Sequence, residues 1–412
     1  MVRDFGGRTI RYSAWWDLTP VEGASEKGDL EIARLNELME KYNFTVEYIN
    51  VPWGEYLEKF TASTMAGDPF ADLTIVAGRW FYPSLVASGF VLDAGSLGVF
   101  DFEEEKWSEM ALEYGKFNGK QYGFDTGVNP VGSGIYWNKT MFEREGQPNL
   151  YELVEKKQWT WDKMLEIAKA LTKDTDGDGV IDQWGLGDMD LMWALLAAKG
   201  ARAVKEEGDH AVFGLTDLNA LETLQFWQDL FQVHKVIEMP PDGAPWDYHC
   251  QQFIDGKSGM LCYALWWAGT ANDNMQDDYG FVPNPLAPGG LDTYTSTQGE
   301  INIHCIPSTV KNPEEIAIFY DEKTEPLPGI DPKRSENDWY ESIFRDKESV
   351  DYVNMLSDTK ALVIDKWINF RPLEEMGWTL FSEIKSGTKA PQVAVEEKAQ
   401  QAQAILDDAF KK

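Results

Sequence analysis

The first part of the chain alternates between the period of a strand and the period of a helix. Residues 9–14 and 44–48 carry apolar side chains at every second position, and residues 71–77 follow as a third strand. Between them, residues 30–42 repeat apolar side chains every three to four positions, and residues 53–65 form a second helix. Strands joined by single helices pair in parallel through right-handed crossovers. The sequence therefore predicts an α/β fold with mainly parallel sheets flanked by helices.

Aromatic residues follow two of these strands, at the carboxyl ends where parallel sheets bind their ligands. Trp15, Trp16 and Asp17 follow the first strand, and Arg79 and Trp80 follow the third. Indole faces in such places are suited to stacking on the apolar C–H faces of sugar rings. Because one ring of a Trp-Trp pair can also pack into a core, each pair is expected to offer at most one ring to a ligand.

Further candidates for ligand binding lie later in the chain. Residues 261–265 form a hydrophobic strand that ends at Trp266 and Trp267. These two rings, like Trp80, are either stacking platforms or packing residues. The other candidates lie near a predicted chain crossing, strand ends or loops: Asp125, Trp246, Gln298 and Glu300.

Asp17 and Arg79 each have more than one interpretation. Asp17 either accepts hydrogen bonds from sugar hydroxyls or caps the segment that follows it. The planar guanidinium of Arg79 matches a carboxylate such as that of a uronic acid, but it also suits neutral hydroxyls or a neighbouring acid. Because the chain is strongly acidic, a neutral ligand is favoured over an anionic one.

The charge of the chain argues against two classes of partner. Its 69 acidic and 37 basic side chains give a formal net charge of −32, which repels nucleic-acid phosphates and anionic lipid surfaces. A length of 412 residues indicates two lobes. No apolar run approaches the ~20 residues that a membrane-spanning helix needs.

The cysteines and histidines carry no recognisable catalytic or metal motif. Cys250 and Cys262 could form a disulfide, but together with Cys305 they are equally compatible with buried free thiols. The four histidines lack zinc-site spacing, and no nucleophile elbow or phosphate loop is present. A glycoside hydrolase using two carboxylates is the enzymatic alternative, although 69 acids will always include a suitable pair.

Residues 174–185 resemble a calcium-binding loop. Asp174, Asp176, Asp178 and Asp182 occupy positions one, three, five and nine, and the sixth position is a glycine that permits a sharp turn. Val180 would contribute its backbone carbonyl, and Gln183 could replace the missing bidentate Glu of position twelve, where this chain has Gly185. The alternative is an Asp/Gly turn without metal. A single incomplete loop suits a structural Ca²⁺ better than a sensor.

The order and spacing of several short motifs resemble the extracellular solute-binding proteins of bacterial ABC sugar importers, the family with maltose-binding relatives. The resemblance covers nearly the whole chain and rests on residues 67–73, 90–93, 122–124, 136–139, 159–162, 253–260 and 279–280. The calcium-type loop is similar to a site in members that take up oligosaccharides. The family implies a periplasmic-binding-protein-like fold of two α/β lobes, with the ligand in a cleft between them.

The resemblance also implies a domain division and partners. It assigns residues 1–125 and 283–325 to an N-terminal lobe and residues 126–282 and 326–412 to a C-terminal lobe, with crossings near 125, 282 and 322. The expected protein is a monomer that delivers an oligosaccharide to a membrane permease. It is expected outside the membrane, either periplasmic or lipid-anchored; the polar start of the sequence has the look of a chain without its signal segment.

We therefore expect a calcium-stabilised oligosaccharide receptor that performs no covalent step. Two alternatives stay open at this stage, the glycoside hydrolase and a surface protein that binds polysaccharide without transport. Cleavage of glycan would identify the first, and failure to bind short soluble sugars tightly would favour the second.

Overall fold

The computed structural model describes residues 3–127, 132–207, 210–298, 301–330, 332–358 and 361–409. The chain forms two compact units. Unit 1 contains Met1–Asn129 and Glu300–Glu336, and unit 2 contains Pro130–Gly299 and Asn337–Lys412.

These boundaries differ from the expected lobes at two long segments and at residues 126–129, which belong to unit 1. Residues 283–299 belong to unit 2, because residues 296–298 pair in parallel with residues 362–364 of the same unit. Residues 326–336 belong to unit 1, where Arg34 donates a hydrogen bond of 3.3 Å to the carbonyl of Pro326. Both assignments depend on contacts between residues far apart in sequence, which hydrophobic periodicity does not report.

Helices and short strands alternate along most of the chain. In chain order the strands are β1 (Arg8–Ala14), β2 (Phe44–Asn50), β3 (Leu73–Ala77), β4 (Lys116–Phe117), β5 (Lys120–Gln121), β6 (Ser133–Asn138), β7 (Gly187–Asp188), β8 (Val204–Glu207), β9 (His210–Phe213), β10 (Met260–Ala264), β11 (Tyr279–Val282), β12 (Ser296–Gln298), β13 (Asn302–Cys305) and β14 (Leu362–Ile364). The helices are α1 (Glu26–Tyr42), α2 (Trp53–Met65), α3 (Gly78–Trp80), α4 (Glu109–Tyr114), α5 (Lys139–Arg144), α6 (Leu150–Glu155), α7 (Trp161–Leu171), α8 (Leu191–Ala198), α9 (Leu218–Gln232), α10 (Tyr248–Ile254), α11 (Ala268–Asn274), α12 (Pro313–Lys323), α13 (Pro332–Ile343), α14 (Lys347–Asp358), α15 (Arg371–Lys385) and α16 (Pro391–Ala409).

The sheet of unit 1 has the strand order β13-β3-β1-β2. β1 pairs in parallel with both β2 and β3, so the three carboxyl ends lie at one edge of the sheet. This confirms the parallel pairing predicted from the strand–helix alternation. β13 adds an antiparallel strand beside β3.

Helix α1 shows how local sequence defines an element of this unit. It begins after Ser25, whose hydroxyl accepts a hydrogen bond from the amide of Gly28, and it ends at Asn43 in the left-handed conformation (φ 55°). Leu35, Leu38 and Tyr42 are its buried residues and pack into the core of unit 1. Their spacing of three and four residues places them on one face of the helix.

The main sheet of unit 2 has the strand order β11-β6-β10-β7. β6 is antiparallel to both β10 and β11, and β10 is parallel to β7. The expectation of a mainly parallel sheet is therefore wrong for this unit, although the mixed α/β class is confirmed. The reason is topological: β10 and β11 run in the same direction on the two sides of β6, which runs the opposite way.

All three cysteines are buried free thiols, so the disulfide alternative is excluded. Burial raises the pKa of each thiol; for Cys305 it reaches about 12.

Among the helices of the described ranges, none combines the length and the apolar character that crossing a bilayer would require.

Candidate functional site

In unit 1, indole rings from three strand ends gather at one edge of the sheet. Trp15 follows β1, Trp53 begins α2 after β2, and Trp80 ends the short helix after β3. The ring centre of Trp15 lies 4.9 Å from that of Trp53 and 5.5 Å from that of Trp80, and the Trp53 and Trp80 centres are 4.2 Å apart. We call this cluster, together with Trp16, the unit 1 aromatic surface.

The rings of the unit 1 aromatic surface divide between support and exposure. Trp80 is buried and Trp15 is half-buried, whereas Trp16 and Trp53 are 38% and 42% exposed. Trp15 packs edge-on against Trp16, with ring centres 4.7 Å apart. The buried rings therefore hold two exposed indoles in place, and an exposed indole can stack on an apolar ligand face.

Trp53 was missed by the sequence-based prediction. The sequence-based prediction placed Trp53 only at the start of α2, although this residue also lies three residues beyond the end of β2. The carboxyl end of β2 was the signal that could have identified it, because Trp15 and Trp80 were identified by the same rule.

Arg79 lies beside the rings of the unit 1 aromatic surface. The guanidinium carbon of Arg79 is 5.7 Å from the centre of the Trp53 ring, within range of a cation–π interaction.

Asp17 is exposed, and its Oδ1 accepts a hydrogen bond of 2.9 Å from the amide of Thr19. Hydrogen bonds from Thr19 lower the pKa of this carboxyl. Asp17 thus caps the next segment while its side chain stays exposed.

Asp125 takes part in a network inside unit 1. Its Oδ1 accepts hydrogen bonds from the amide of Thr126 (2.7 Å) and the hydroxyl of Tyr320 (3.1 Å), and its Oδ2 lies 3.3 Å from Nδ1 of His304. Nε2 of His304 lies 2.6 Å from the hydroxyl of Tyr12. These partners give Asp125 a structural role, and none of its contacts within the described residues joins it to the unit 1 aromatic surface.

In unit 2, the second Trp pair divides between surface and core. Trp266 is 62% exposed, whereas Trp267 is 4% exposed and packs against Tyr136, with ring centres 5.2 Å apart. Trp266 packs edge-on against the buried ring of Tyr263 at 5.4 Å. Only one ring of this pair is accessible to a ligand, as the sequence-based prediction expected; its contact with a ligand stays a prediction. We call Trp266 and Tyr263, with Asp190 described next, the unit 2 aromatic surface.

Asp190 places a carboxyl group near Tyr263, and its charge contributes to the raised pKa of that tyrosine. Its amide donates a hydrogen bond of 3.1 Å to the carbonyl of Cys262 in β10, four residues before Trp266. Within the part of the chain that the structure describes, its carboxyl group has no hydrogen bond or ion pair. Burial, with a smaller contribution from the charge of Asp188, raises the pKa of Asp190 to about 7. A carboxyl group without protein partners can accept hydrogen bonds from ligand hydroxyls.

The sequence-based prediction did not identify Asp190. It follows β7, which has only two residues and therefore shows no measurable alternation. Its position beside the end of β10 is a consequence of parallel pairing between Cys262 and Asp188.

Of the remaining predicted ligand residues, Trp246 joins neither surface. Trp246 is 72% exposed, in the segment before α10. Gln298 is the last residue of β12, but its side chain lies outside the described residues, as does all of Glu300.

The calcium-type loop brings three of its carboxylates together. Oxygen atoms of Asp174, Asp176 and Asp182 all lie within 4.8 Å of one another. The two carboxylate oxygens of Asp174 accept hydrogen bonds from the amides of Gly177 (2.7 Å) and Gly179 (2.8 Å). These hydrogen bonds lower the pKa of the Asp174 carboxyl group. Asp178 and Val180 are exposed members of the same loop and are joined by the Val180 amide, which donates to Asp178 at 2.7 Å.

Gln183 is not part of this carboxylate group, contrary to the proposed substitution for position twelve. Its side chain is buried: Oε1 accepts a hydrogen bond of 2.6 Å from Arg144, and Nε2 donates to the carbonyl of Leu171. The backbone of Gln183 pairs with Lys173 and closes the loop. We therefore correct the ligand set by removing Gln183, because its amide is directed into the interior.

A second acidic group, formed by Glu104, Asp321 and Glu325 in unit 1, surrounds a lysine. The ammonium group of Lys106 forms ion pairs with all three carboxylates, and its side chain is only 5% exposed. This group is an ion-pair cluster and needs no metal.

Comparison with known proteins relates the chain to binding proteins. Residues 27–322 match the family described as bacterial extracellular solute-binding protein. An arabinooligosaccharide-binding protein of Halalkalibacterium halodurans is 28% identical over 42% of this chain and 36% of that protein. The maltodextrin-binding protein MdxE of Bacillus subtilis is 23% identical over 63% of this chain and 58% of that protein. Each alignment thus spans less than two thirds of the relative.

The fold is similar to that of solved binding proteins over nearly its whole length. The GacH receptor of Streptomyces glaucescens, solved without ligand and with acarbose, has a TM-score of 0.67 and 16% identity. The alignment covers 98% of this chain and 99% of that receptor. At this identity the similarity establishes the fold.

Proposed function

The chain belongs to the family of bacterial extracellular solute-binding proteins, and we propose that it is the substrate-binding component of an ABC importer for oligosaccharides. Membership in this family makes it a binding protein and not an enzyme. The hydrolase alternative has no support from the comparisons.

The exposed indoles at strand ends carry the proposal of a sugar ligand. Trp16 and Trp53 in unit 1 and Trp266 in unit 2 each expose more than a third of their surface. The guanidinium group of Arg79 lies beside Trp53, the carboxyl group of Asp190 lies near Tyr263, and both groups are suited to hydroxyls. Several separate stacking rings favour a ligand with several sugar units, and the two curated relatives are named as binding arabinooligosaccharide and maltodextrin.

The proposal has consequences for partners and location. The receptor would deliver its ligand to a membrane permease and act as a monomer. A location outside the cytoplasmic membrane is supported by the family description, which calls these proteins extracellular. We propose a lipid anchor for the native form, which metabolic labelling with a fatty acid would test. A net charge of −32 supports the view that nucleic acid is not a partner.

We also propose that residues 174–182 bind one structural Ca²⁺. The ligands would be the carboxylates of Asp174, Asp176 and Asp182 and the carbonyl of Val180; Asp178 stands at the remaining position of the sequence pattern. Hard oxygen donors and the spacing of positions one, three and nine support calcium over a softer metal.

A fluorescence titration tests the proposed function. Arabino- and malto-oligosaccharides, with neutral and uronic members, are added to the protein while tryptophan emission is recorded, and each mixture is then checked for cleavage. A saturable change with intact sugar is the expected result. A flat response to every sugar would refute the oligosaccharide ligand.

Single Trp variants connect this binding to the two aromatic surfaces. Trp16→Ala and Trp266→Ala are each expected to weaken binding by at least about tenfold, or ~1.4 kcal/mol, because each removes an exposed stacking face. Trp339→Ala is the matched control, since Trp339 is 47% exposed on α13 and lies on neither surface. Equal effects of all three substitutions would argue against stacking at these surfaces.

A further inference from the structure

Unit 2 contains a cavity that the proposed function has not used. It has a volume of about 330 Å³ and lies among α8, α9 and α15, beside the end of β7. We call it the α15 cavity. Ligand pockets in proteins range from ~300 to 1,000 Å³, so the α15 cavity has room for a small group such as a single sugar ring.

Aromatic side chains form its walls. Phe381 packs edge-on against Trp193 at 5.7 Å and against Trp227 at 6.5 Å between ring centres. Trp227 is buried, whereas Trp193 and Phe381 are half-buried and keep part of their ring surface accessible. Mutual packing fixes the orientation of these rings before any ligand arrives, which limits the entropy cost of binding.

A charged pair lies at the polar end of the α15 cavity. Oδ2 of Asp188 accepts hydrogen bonds from Nζ of Lys385 (3.2 Å) and from Nε1 of Trp227 (3.3 Å), and the Asp188 side chain is only 6% exposed. Among the described residues, Oδ1 of Asp188 has no hydrogen-bond partner. An oxygen acceptor and an ammonium donor therefore remain for a ligand, while their charges compensate each other.

We propose that the α15 cavity binds one neutral sugar ring and forms an accessory subsite for the oligosaccharide. Aromatic walls match the C–H faces of a ring, and the Asp188–Lys385 pair matches its hydroxyls. A purely apolar ligand would cover this pair without hydrogen-bonding to it, at a cost in free energy. An anion would meet a pair that is already neutral.

The position of the α15 cavity joins it to the unit 2 aromatic surface. Asp188 lines the cavity, and Asp190 lies two residues further along the chain. The two carboxyl groups are close enough to interact electrostatically. A ligand bound at Asp190 could therefore extend into the cavity, and this inference rests on the proposed function.

A blocking substitution tests the subsite. Ser382 is exposed on α15 and lines the cavity, so Ser382→Trp would fill it from the rim without removing a wall or a charge. Thr379→Trp is the matched control, because Thr379 is exposed on the same helix but does not line the cavity. Ser382→Met is a smaller obstruction for the case in which the tryptophan variant does not fold, as judged by circular dichroism.

Dissociation constants are measured by calorimetry for arabino- and malto-oligosaccharides of graded length. We expect Ser382→Trp to weaken the binding of the longer ligands by about tenfold and to leave the binding of the shortest ligand unchanged. Thr379→Trp is expected to bind every ligand as the wild type does. If both Ser382 variants bind oligosaccharides of every length as tightly as the wild type does, the subsite is overturned while the proposed function stands. A wild-type protein that binds no oligosaccharide would overturn both.

Discussion

At the scale of single residues, neighbours in sequence have different environments. Trp266 and Trp267 are adjacent, yet one is 62% exposed and the other is 4% exposed. Asp188 ends β7 and Asp190 lies two residues further along, but the carboxyl group of Asp188 pairs with Lys385 whereas that of Asp190 has no partner within the described residues. Residue type alone therefore does not separate a ligand-binding group from a structural one.

The raised pKa of Asp190 predicts a pH dependence of stability. Its ordinary pKa is 3.8 and its pKa in the folded protein is about 7, so between these values the folded state keeps a proton that the unfolded state has lost. The contribution of Asp190 to stability therefore falls as pH rises from about 4 to 7 and is constant above that range. Asp190→Asn should remove this fall.

Urea unfolding of wild type and Asp190→Asn across this pH range measures the effect. The variant should gain stability relative to wild type as pH rises, with the gain complete near pH 7. Asp162→Asn, on the exposed surface of α7, is the control for a general loss of one negative charge. A constant difference between Asp190→Asn and wild type at every pH would contradict the assignment.

At the scale of elements, the loop after α7 illustrates how a sequence motif becomes a geometry. The backbone of Lys173 pairs with that of Gln183 and closes the loop, and the side chain of Lys173 forms an ion pair with Glu145. Inside the loop, amide groups of Gly177 and Gly179 donate to Asp174. These hydrogen bonds fix the carboxylate of Asp174, and the closed loop brings it within 4.8 Å of those of Asp176 and Asp182. A cation would relieve the mutual repulsion of the three.

Removal of calcium is expected to destabilise the protein through this loop. A chelator should lower the melting temperature by a few degrees, because a ligand that binds only the folded state stabilises it. Asp176→Ala should abolish the chelator effect, since it removes one of the three gathered carboxylates but keeps the Asp174 hydrogen bonds. Differential scanning calorimetry with and without chelator measures both.

Asp178→Asn is the matched substitution for the calcium experiment. Asp178 lies in the same loop but outside the group of three carboxylates, so its variant should keep most of the chelator sensitivity. The calcium proposal fails if the wild-type protein shows no chelator effect and elemental analysis finds no bound metal.

At the scale of the whole molecule, the charge of −32 is the dominant electrostatic feature. Local pairs neutralise only part of it; the Lys106 cluster, for example, sets one ammonium group against three carboxylates. A chain with this imbalance repels itself in the folded state, and the repulsion lowers its stability.

Screening of this repulsion should stabilise the protein. Raising NaCl from about 10 mM to about 300 mM shortens the Debye length from ~30 Å to below 8 Å, and the melting temperature should rise. The same series in choline chloride separates screening from specific cation binding. A melting temperature that falls in both salts would mean that ion pairs outweigh the net repulsion.

Local sequence was sufficient for much of the architecture. Alternation and helical spacing predicted β1 to β3 with α1 and α2, since strands and helices differ in side-chain period. The spacing of aspartates identified the loop whose carboxylates the structure gathers, and the net charge argued against nucleic acid. The motif order led to the solute-binding family that the comparison confirms.

Other features depend on contacts between distant residues, and only the tertiary structure determined them. Parallel pairing of β7 with β10 brings Asp190 against the backbone of Cys262 and near Tyr263, and the packing of α8, α9 and α15 creates the cavity around Asp188. The amide of Gln183 is directed inward because Arg144, 39 residues earlier, binds it. Periodicity reports which face of an element is apolar, but it contains no information about which distant partner will cover that face.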